Sequence, residues 1–360
     1  MFCIAAFIIF AVLGIFSAAF RPLAAKAWHC TIRRVTFRPC DIDFSEEVKG
    51  RLIGKIILTH PRLARFLEHW IDWLAFAFVV LSIWSLVYVF NAGLNIWVYD
   101  TCRPANVESC SLTGEACGVN RYSVSLIDAI REHRMNEWMA GPFVRFIEAV
   151  SRIPDRLRYW EARDFLSPSA TFYRPKEDSK PYALEVLDPG CTFCRKLLGN
   201  VLEAGFEERY NFSYLLYPIP DAKKASGYKF SKSLLLASYA EAAKMVPLTT
   251  SSATDPPPDW QLLKKIFTEI DPDGIALQMK FNLTFTTEEA EARLKKMLAE
   301  IGYGAEAIRH IAILAHGEDT AHSLLEQKVI VEDRLRTVKI PTFLFGGRRY
   351  DHVVDVKTLQ

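Results

Sequence analysis

Two stretches of the chain carry almost no polar side chains. The first runs from Met1 to Phe20 without a charged residue, and the second from Trp73 to Tyr99, between Asp72 and Asp100. Each is close to the roughly 20 apolar residues that a helix needs to cross a bilayer core. A helix satisfies its own backbone hydrogen bonds, so such a run can sit in lipid. The pattern therefore predicts two transmembrane helices, 1–20 and 73–99. Trp84, Tyr88, Trp97 and Tyr99 suit interfacial anchoring of the second. No basic residue precedes the first run, so it reads as a retained anchor rather than a signal peptide, although Ser17-Ala18-Ala19 has a weak cleavage-like pattern.

The segment between the runs, 21–72, is basic: it carries Arg21, Lys26, Arg33, Arg34, Arg38, Lys49, Arg51, Lys55, Arg62 and Arg65. After the second run Arg103 stands among Asp100, Glu108 and Glu115. The positive-inside rule places 21–72 in the cytoplasm and everything after Asp100 outside it. Outside, disulfides form and persist. Leu52 to Trp70 has helical spacing, and either lies along the membrane or leads into the second span. Residues 100–166 form an extracytoplasmic cysteine loop and helical connector, with helices expected to break at Pro142 and Pro154. Phe143, Phe146, Ile147 and Val150 recur at helical spacing, and either pack on the folded domain or rest on the membrane.

Ser167 to Pro181 is polar and reads as a linker. Beyond it the period changes. Tyr182 to Leu187 reads as a strand, a helix starts near Cys191 and continues towards Ala204, and Asn211 to Tyr217 is a second strand. From Lys229 to about Arg336 the pattern is almost wholly helical. Phe343 to Phe345 is a strand, Gly346-Gly347 a turn, and Tyr350 to Val356 completes a hairpin. Residues 167–360 thus alternate strand, helix, strand, a helical insertion over about 221–337, strand and strand, an α/β arrangement.

Composition adds two constraints. Half of the 360 residues are hydrophobic, and the two apolar runs account for the excess. A net charge of +2 gives no global field for nucleic acid.

The chemistry centres on Cys191-Thr192-Phe193-Cys194. A cysteine at a helix start sits near unpaired backbone N–H groups and the positive end of the helix dipole, which favour thiolate over thiol. The second cysteine, one turn along, can attack a mixed disulfide and release the substrate. Zinc sites share this spacing but need a second ligand pair, and none follows, so no metal and no soluble cofactor is expected. Thr192 and Phe193, between the two cysteines, modulate the redox pair.

Together with Val338-Lys339-Ile340-Pro341-Thr342-Phe343-Leu344-Phe345 and the following Gly346-Gly347, this motif resembles the thioredoxin superfamily. The helical insertion resembles the DsbA-type disulfide oxidoreductases. The resemblance covers roughly Pro181 to Gln360 and implies a thioredoxin fold with a helical insertion between its second and third strands, preceded here by two transmembrane helices. It implies a cis Pro341 facing the cysteines, with Ile340, Pro341 and Thr342 receiving the substrate strand. It also implies that Glu185, six residues before Cys191, is a buried acid that accepts a proton from Cys194. Thr192-Phe193 departs from the Gly-Pro of thioredoxin and the Pro-His of DsbA, and Asp188-Pro189-Gly190 precedes the motif where an aromatic or proline is common. The redox potential is not legible from these residues.

Cys102, Cys110 and Cys117 follow the second span. Cys102–Cys110 would leave Cys117 free or paired with Cys3, and a sharper alternative makes this loop an electron relay to Cys191 and Cys194. Cys30 and Cys40, in the basic segment, are expected to be reduced thiols. Asn211 and Asn282 open glycosylation sequons, but Asn211 begins a core strand.

The expectation is a multi-pass cell-membrane protein with an extracytoplasmic thiol–disulfide oxidoreductase domain. Cys191 is its nucleophile, Cys194 its resolving thiol and Glu185 its proton carrier. Its partners are exported cysteine-containing proteins, the lipid bilayer and a membrane redox protein that recycles it, with oxidation or isomerisation favoured. The alternative is a non-catalytic chaperone or membrane assembly factor on the same fold, braced by a structural disulfide.

Overall fold

A computed structural model describes residues 2–16, 20–36, 61–102, 115–119, 126–248 and 255–360. It divides into two units, Met1–Asn91 and Ala92–Gln360.

In the first unit, α1 (Phe2–Phe16) and α2 (Arg21–Val35) pack on each other. Ala6 and Ala27 are buried between them, and the Phe7 and Trp28 rings lie 4.9 Å apart. At about 1.5 Å per residue α1 is roughly 22 Å long, short of the ~30 Å hydrocarbon core. Among the described residues, one helix is long and apolar enough to cross a membrane, Trp73–Tyr99. It is the later part of α3 (Pro61–Tyr99), which continues unbroken from Pro61 through this apolar stretch. Leu81, Leu86, Val89 and Phe90 on this helix are 64–68 % exposed, as core side chains are not. Cys30 is disulfide-bonded, not the reduced thiol expected of a cytoplasmic loop. That expectation came from the compartment assigned to the loop, and local geometry decides pairing.

The second unit begins with the end of α3. Val98 and Tyr99 pack with Ala149, Ile153 and Val338. A two-residue strand, β1 (Cys117–Gly118), follows, then α4 (Leu126–Arg131), α5 (Met135–Ser151) and α6 (Ile153–Leu157). Pro142 lies inside α5 rather than ending it, while Pro154 opens α6, where its missing N–H costs nothing. Phe143, Val144 and Ile147 on α5 are more than half exposed.

The expected linker over 167–181 is instead packed structure. Ser169 donates to Glu241, Ser213 donates from Oγ to the Thr171 carbonyl at 2.8 Å, and Tyr173 N donates to Phe212 O at 2.9 Å. Its polar residues look like a linker because they bond to buried groups elsewhere in the chain.

The sheet holds β2 (Tyr182–Leu187), β3 (Asn211–Leu216), β5 (Thr342–Phe345) and β6 (Arg348–Tyr350) in the order β3-β2-β5-β6. β2 and β3 are parallel, while β5 is antiparallel to β2 and β6 to β5. A short β4 (Lys339–Ile340) precedes β5 and pairs with β1 outside this sheet. The strand–helix–strand opening and the antiparallel hairpin at the end give the connectivity expected of a thioredoxin fold. The hairpin's second strand ends at Tyr350 rather than Val356, and α14 (Val356–Leu359) closes the chain.

β2 and β3 are almost wholly buried, which explains their near-continuous apolar sequence. α7 (Thr192–Glu203) lays Leu197, Leu198 and Val201 on the core and ends before Gly205, which adopts a left-handed φ of 58°. Phe206, Phe212, Phe343, Tyr214 and Trp260 interlock with ring centroids 4.6–6.2 Å apart. Truncating Phe343 in such a core costs about 3–5 kcal/mol.

Between β3 and β4 lies the helical insertion: α8 (Ser233–Met245), α9 (Pro258–Thr268), α10 (Leu277–Leu283), α11 (Thr287–Ile301), α12 (Ala305–Ala315) and α13 (Glu318–Val329). α11 opens on a capping box in which Thr286 and Glu289 exchange hydrogen bonds. The insertion does more than fill space, because α8 and α10 meet the turn that carries Cys191.

Candidate redox site

The turn between β2 and α7 is built from Asp188-Pro189-Gly190. The Asp188 carboxylate accepts from Gly190 N at 2.7 Å, Ile219 N at 2.8 Å and the Ser233 hydroxyl. Burial raises its pKa to about 6, against the lowering effect of those three bonds. Gly190 is required here, since a Cβ would lie 2.6 Å from Phe230 Cβ and from Ser233 Oγ. From α10, Gln278 Nε2 donates to the carbonyls of Pro189 at 2.8 Å and Cys191 at 3.0 Å, and Asn282 Nδ2 donates to Gly190 O at 2.8 Å. The insertion thus holds the cysteine turn through side-chain amides, and the second sequon asparagine is spent inside the protein. Asn211 is likewise committed, donating to the carbonyls of Glu177 and Lys180.

Cys191 is the N-cap of α7, in extended conformation, with its sulfur 3.9 Å from the Ile340 carbonyl. The Ile340-Pro341 peptide is cis. The structure therefore brings together Cys191, Ile340 and Pro341, as the sequence motifs implied. Thr342 follows at the start of β5, buried like Ile340, its hydroxyl donating to Lys339 O at 2.8 Å. Thr192 is exposed and Phe193 half-buried on the first turn of α7.

The sulfur pairing differs from expectation. Cys191 is disulfide-bonded to Cys117, 74 residues earlier, and Cys194 is a buried free thiol. The reason is geometric. β1 pairs antiparallel with β4 and sets Cys117 opposite Ile340, next to Cys191. Cys102 is also disulfide-bonded, and Cys110 lies outside the described residues.

Glu185, at the middle of β2 between Tyr214 and Phe343, is fully buried, and neither carboxylate oxygen has a hydrogen-bond partner among the described residues. Burial pushes its pKa well up. Burial also raises the pKa of Cys194, and the Glu185 carboxylate raises it further. An ionised Glu185 therefore favours the neutral Cys194 thiol.

Lys339, in β4 beside the cis peptide, is buried with its Nζ unpaired among the described residues, and burial lowers its pKa. A cavity of about 470 Å³ lies elsewhere, lined by Tyr99, Asp100, Arg152, Arg156, Trp160 and Arg349 among others, and includes neither cysteine.

Sequence reading missed Asp188, Gln278 and Asn282 as neighbours of the cysteines, and it put Cys117 in a loop that could relay electrons to Cys191 and Cys194 without pairing it to Cys191. Asp188 and Gly190 carried a local signal, being a turn pair before a helix. Gln278 and Asn282 carried none for this site, because they reach it from 89 and 92 residues away along the chain.

No family model matches the sequence, and no curated protein aligns with it. Solved structures with a related arrangement include a thioredoxin-like oxidoreductase from Silicibacter pomeroyi DSS-3, with 15% identity, 55% of this chain and 93% of that one covered, and a TM-score of 0.36. The thiol-disulfide exchange protein alpha-DsbA2 from Wolbachia pipientis shares 14% identity over 52% of this chain and 83% of its own, with a TM-score of 0.37. ScsC from Proteus mirabilis in a transitional conformation shares 13% identity over 66% of this chain and 95% of its own, with a TM-score of 0.35. Likenesses this distant leave the chemistry to be judged from the residues around Cys191.

Proposed function

We propose that this protein is a membrane-anchored thiol–disulfide oxidoreductase that acts on cysteine-bearing exported proteins. One observation carries the assignment. The sulfur at the start of α7 is bonded to an extended segment that lies antiparallel to Ile340, beside the cis Ile340-Pro341 peptide. A catalyst of disulfide exchange needs that geometry when it holds a client strand.

In the oxidising direction, a client thiolate attacks Sγ of Cys191 in a Cys191–Cys194 disulfide. The S–S bond breaks, a client–Cys191 disulfide forms, and Cys194 leaves as a thiolate that takes a proton from Glu185. A second client thiolate then attacks the client sulfur, and Cys191 leaves as a thiolate next to the free N–H groups at the start of α7. The client becomes the disulfide, and the two electrons remain on Cys191 and Cys194. A disulfide-bearing membrane partner would accept them.

The apolar, exposed Trp73–Tyr99 helix supports an anchor in the bilayer. The exposed Phe143, Val144 and Ile147 on α5, a helix that packs on the end of that span, support a domain resting against the membrane face. The charge bias of the sequence supports an extracytoplasmic placement.

A second reading, a membrane assembly protein braced by Cys117–Cys191, is favoured by the burial of that disulfide. Oxidation of a reduced dithiol peptide by the full-length protein in detergent separates the two. Cys191→Ser abolishes the reaction if the protein is an oxidoreductase, and Cys194→Ser accumulates a client–Cys191 adduct with a peptide that carries a single cysteine. A Cys191→Ser variant that oxidises the peptide at the wild-type rate would defeat the assignment.

A further inference from the structure

Residues 115–119 run extended across the face that holds Cys191. Cys117 and Gly118 pair with Ile340 and Lys339, Val119 N donates to Val338 O at 2.9 Å, and Val353 N donates to Glu115 O at 3.1 Å. Side chains add to this ladder. The Lys196 ammonium lies 2.6 Å from the Glu115 carboxylate, and Lys229 Nζ donates to Gly118 O at 3.3 Å. Cys191 is 0 % exposed and Cys117 5 % exposed. The sulfur is shut off from solvent by the chain itself, on the strand edge where a polypeptide would add by main-chain pairing.

We propose that residues 115–119 are an intramolecular substrate. Cys117 is a third exchange cysteine that caps Cys191 between turnovers and leaves when a client strand takes its place. This rests on the exchange activity proposed above.

The step that uncaps the site needs no oxidant. The Cys194 thiolate attacks Sγ of Cys191, the Cys117–Cys191 bond breaks, and a Cys191–Cys194 bond forms. One proton passes from Cys194 through Glu185 to solvent, and the departing Cys117 thiolate takes one from solvent. One disulfide and one thiol stand on each side, so no electrons enter or leave.

A thiol tethered on the same chain competes at an effective concentration on the order of millimolar. A client at about 10 μM is then outcompeted roughly 100-fold unless it binds the groove better. The cap makes the protein selective for clients that can fill the positions of Glu115, Cys117 and Gly118. The groove favours an acidic residue two before the cysteine, where Lys196 stands, and a small one after it.

Two measurements on the full-length protein in detergent test this. The first maps disulfides in acid-quenched wild type, with and without a synthetic peptide of sequence 113–121 that carries Ser in place of Cys117. The expected result is Cys117–Cys191 in the resting protein, converting to Cys191–Cys194 as the peptide occupies the groove. Finding Cys191–Cys194 alone in the resting protein overturns the proposal. The second measures oxidation of a dithiol peptide at about 10 μM by wild type and Cys117→Ser. The variant should be faster, by tenfold or more, and a rate equal to or below wild type counts against the cap. If neither protein oxidises the peptide, the exchange activity itself fails, whatever the map shows.

Discussion

Gln278 donates from its side-chain amide to the backbone carbonyl of Cys191 at 3.0 Å, tying the helical insertion to the reactive turn. The same amide nitrogen reaches Pro189 O, so one side chain fixes both ends of the residue pair around Gly190. Gln278→Ala strips the buried Pro189 carbonyl of this donor and leaves the Cys191 carbonyl only the helix bond from Arg195 N, at a cost of about 1–3 kcal/mol. Its expected effect on exchange is a lower kcat with little change in KM. In the reduced protein, the pH profile of Cys191 alkylation should also shift upward. A loss of stability with that profile unmoved would reduce Gln278 to a structural role.

Glu185 is expected to limit both stability and turnover. Its pKa is raised by burial, so the fold favours the protonated acid. As pH rises past the ordinary carboxylate range the unfolded chain loses this proton first, and stability falls until the native acid also ionises. Glu185→Leu removes two orphaned oxygens and should stabilise the protein by about 1–3 kcal/mol, with the gain growing as pH rises. The same change removes a proton carrier, so exchange should slow by about 10²-fold or more. Thermal melts at several pH values and peptide oxidation rates check both halves. A variant that is more stable and equally active would show that Glu185 carries no proton.

Asp188 has the same sign in a narrower window. Its pKa is raised to about 6, mainly by burial, so wild-type stability falls as pH rises from about 4 to about 6. A shift of that size corresponds to roughly 3 kcal/mol at most across the window. Asp188→Asn should flatten this part of the profile. It should also lower stability at every pH, because an amide offers fewer acceptors to Gly190 N, Ile219 N and Ser233. Melting temperatures at pH 4.5 and 6.5 compare the slopes, and an unchanged slope would assign the effect to other groups.

Lys339 stands beside the cis peptide with its ammonium buried and unpaired among the described residues. Burial lowers its pKa, so its stability cost is largest while it is protonated and eases as pH rises. Lys339→Met keeps the length of the side chain and removes the buried charge. It should raise the melting temperature at pH 7 by several degrees, roughly 2–4 °C per kcal/mol for a domain of this size. A lower melting temperature would mean that the ammonium has a partner which holds it in place.

The readable features were those written in local sequence. The apolar runs of β2 and β3, the turn before Cys191, the helical insertion and the hairpin after Pro341 each rest on a few adjacent residues whose pattern or backbone preference is intrinsic. The misread features came from groups far apart in the chain. Ser167 to Pro181 has the polarity of a linker, yet its serines and threonines meet Glu241, Asp259 and Ser213. Pro142 has the signature of a helix end, yet α5 continues through it.

The sequence alone marked the candidate groups: by spacing, a cysteine at a helix start and a second one turn later; by resemblance, an acid in the preceding strand and an Ile-Pro pair before a late strand. Spacing along one helix or strand fixes such relations, because backbone geometry is the same wherever the element sits. Tertiary structure alone decided which sulfur Cys191 holds. Cys117 and Cys194 are both within reach by chemistry, and the choice between them follows from a strand pairing that sets Cys117 opposite Ile340 across more than two hundred residues of chain. No local pattern encodes that register, since it depends on where the whole fold brings the two segments together.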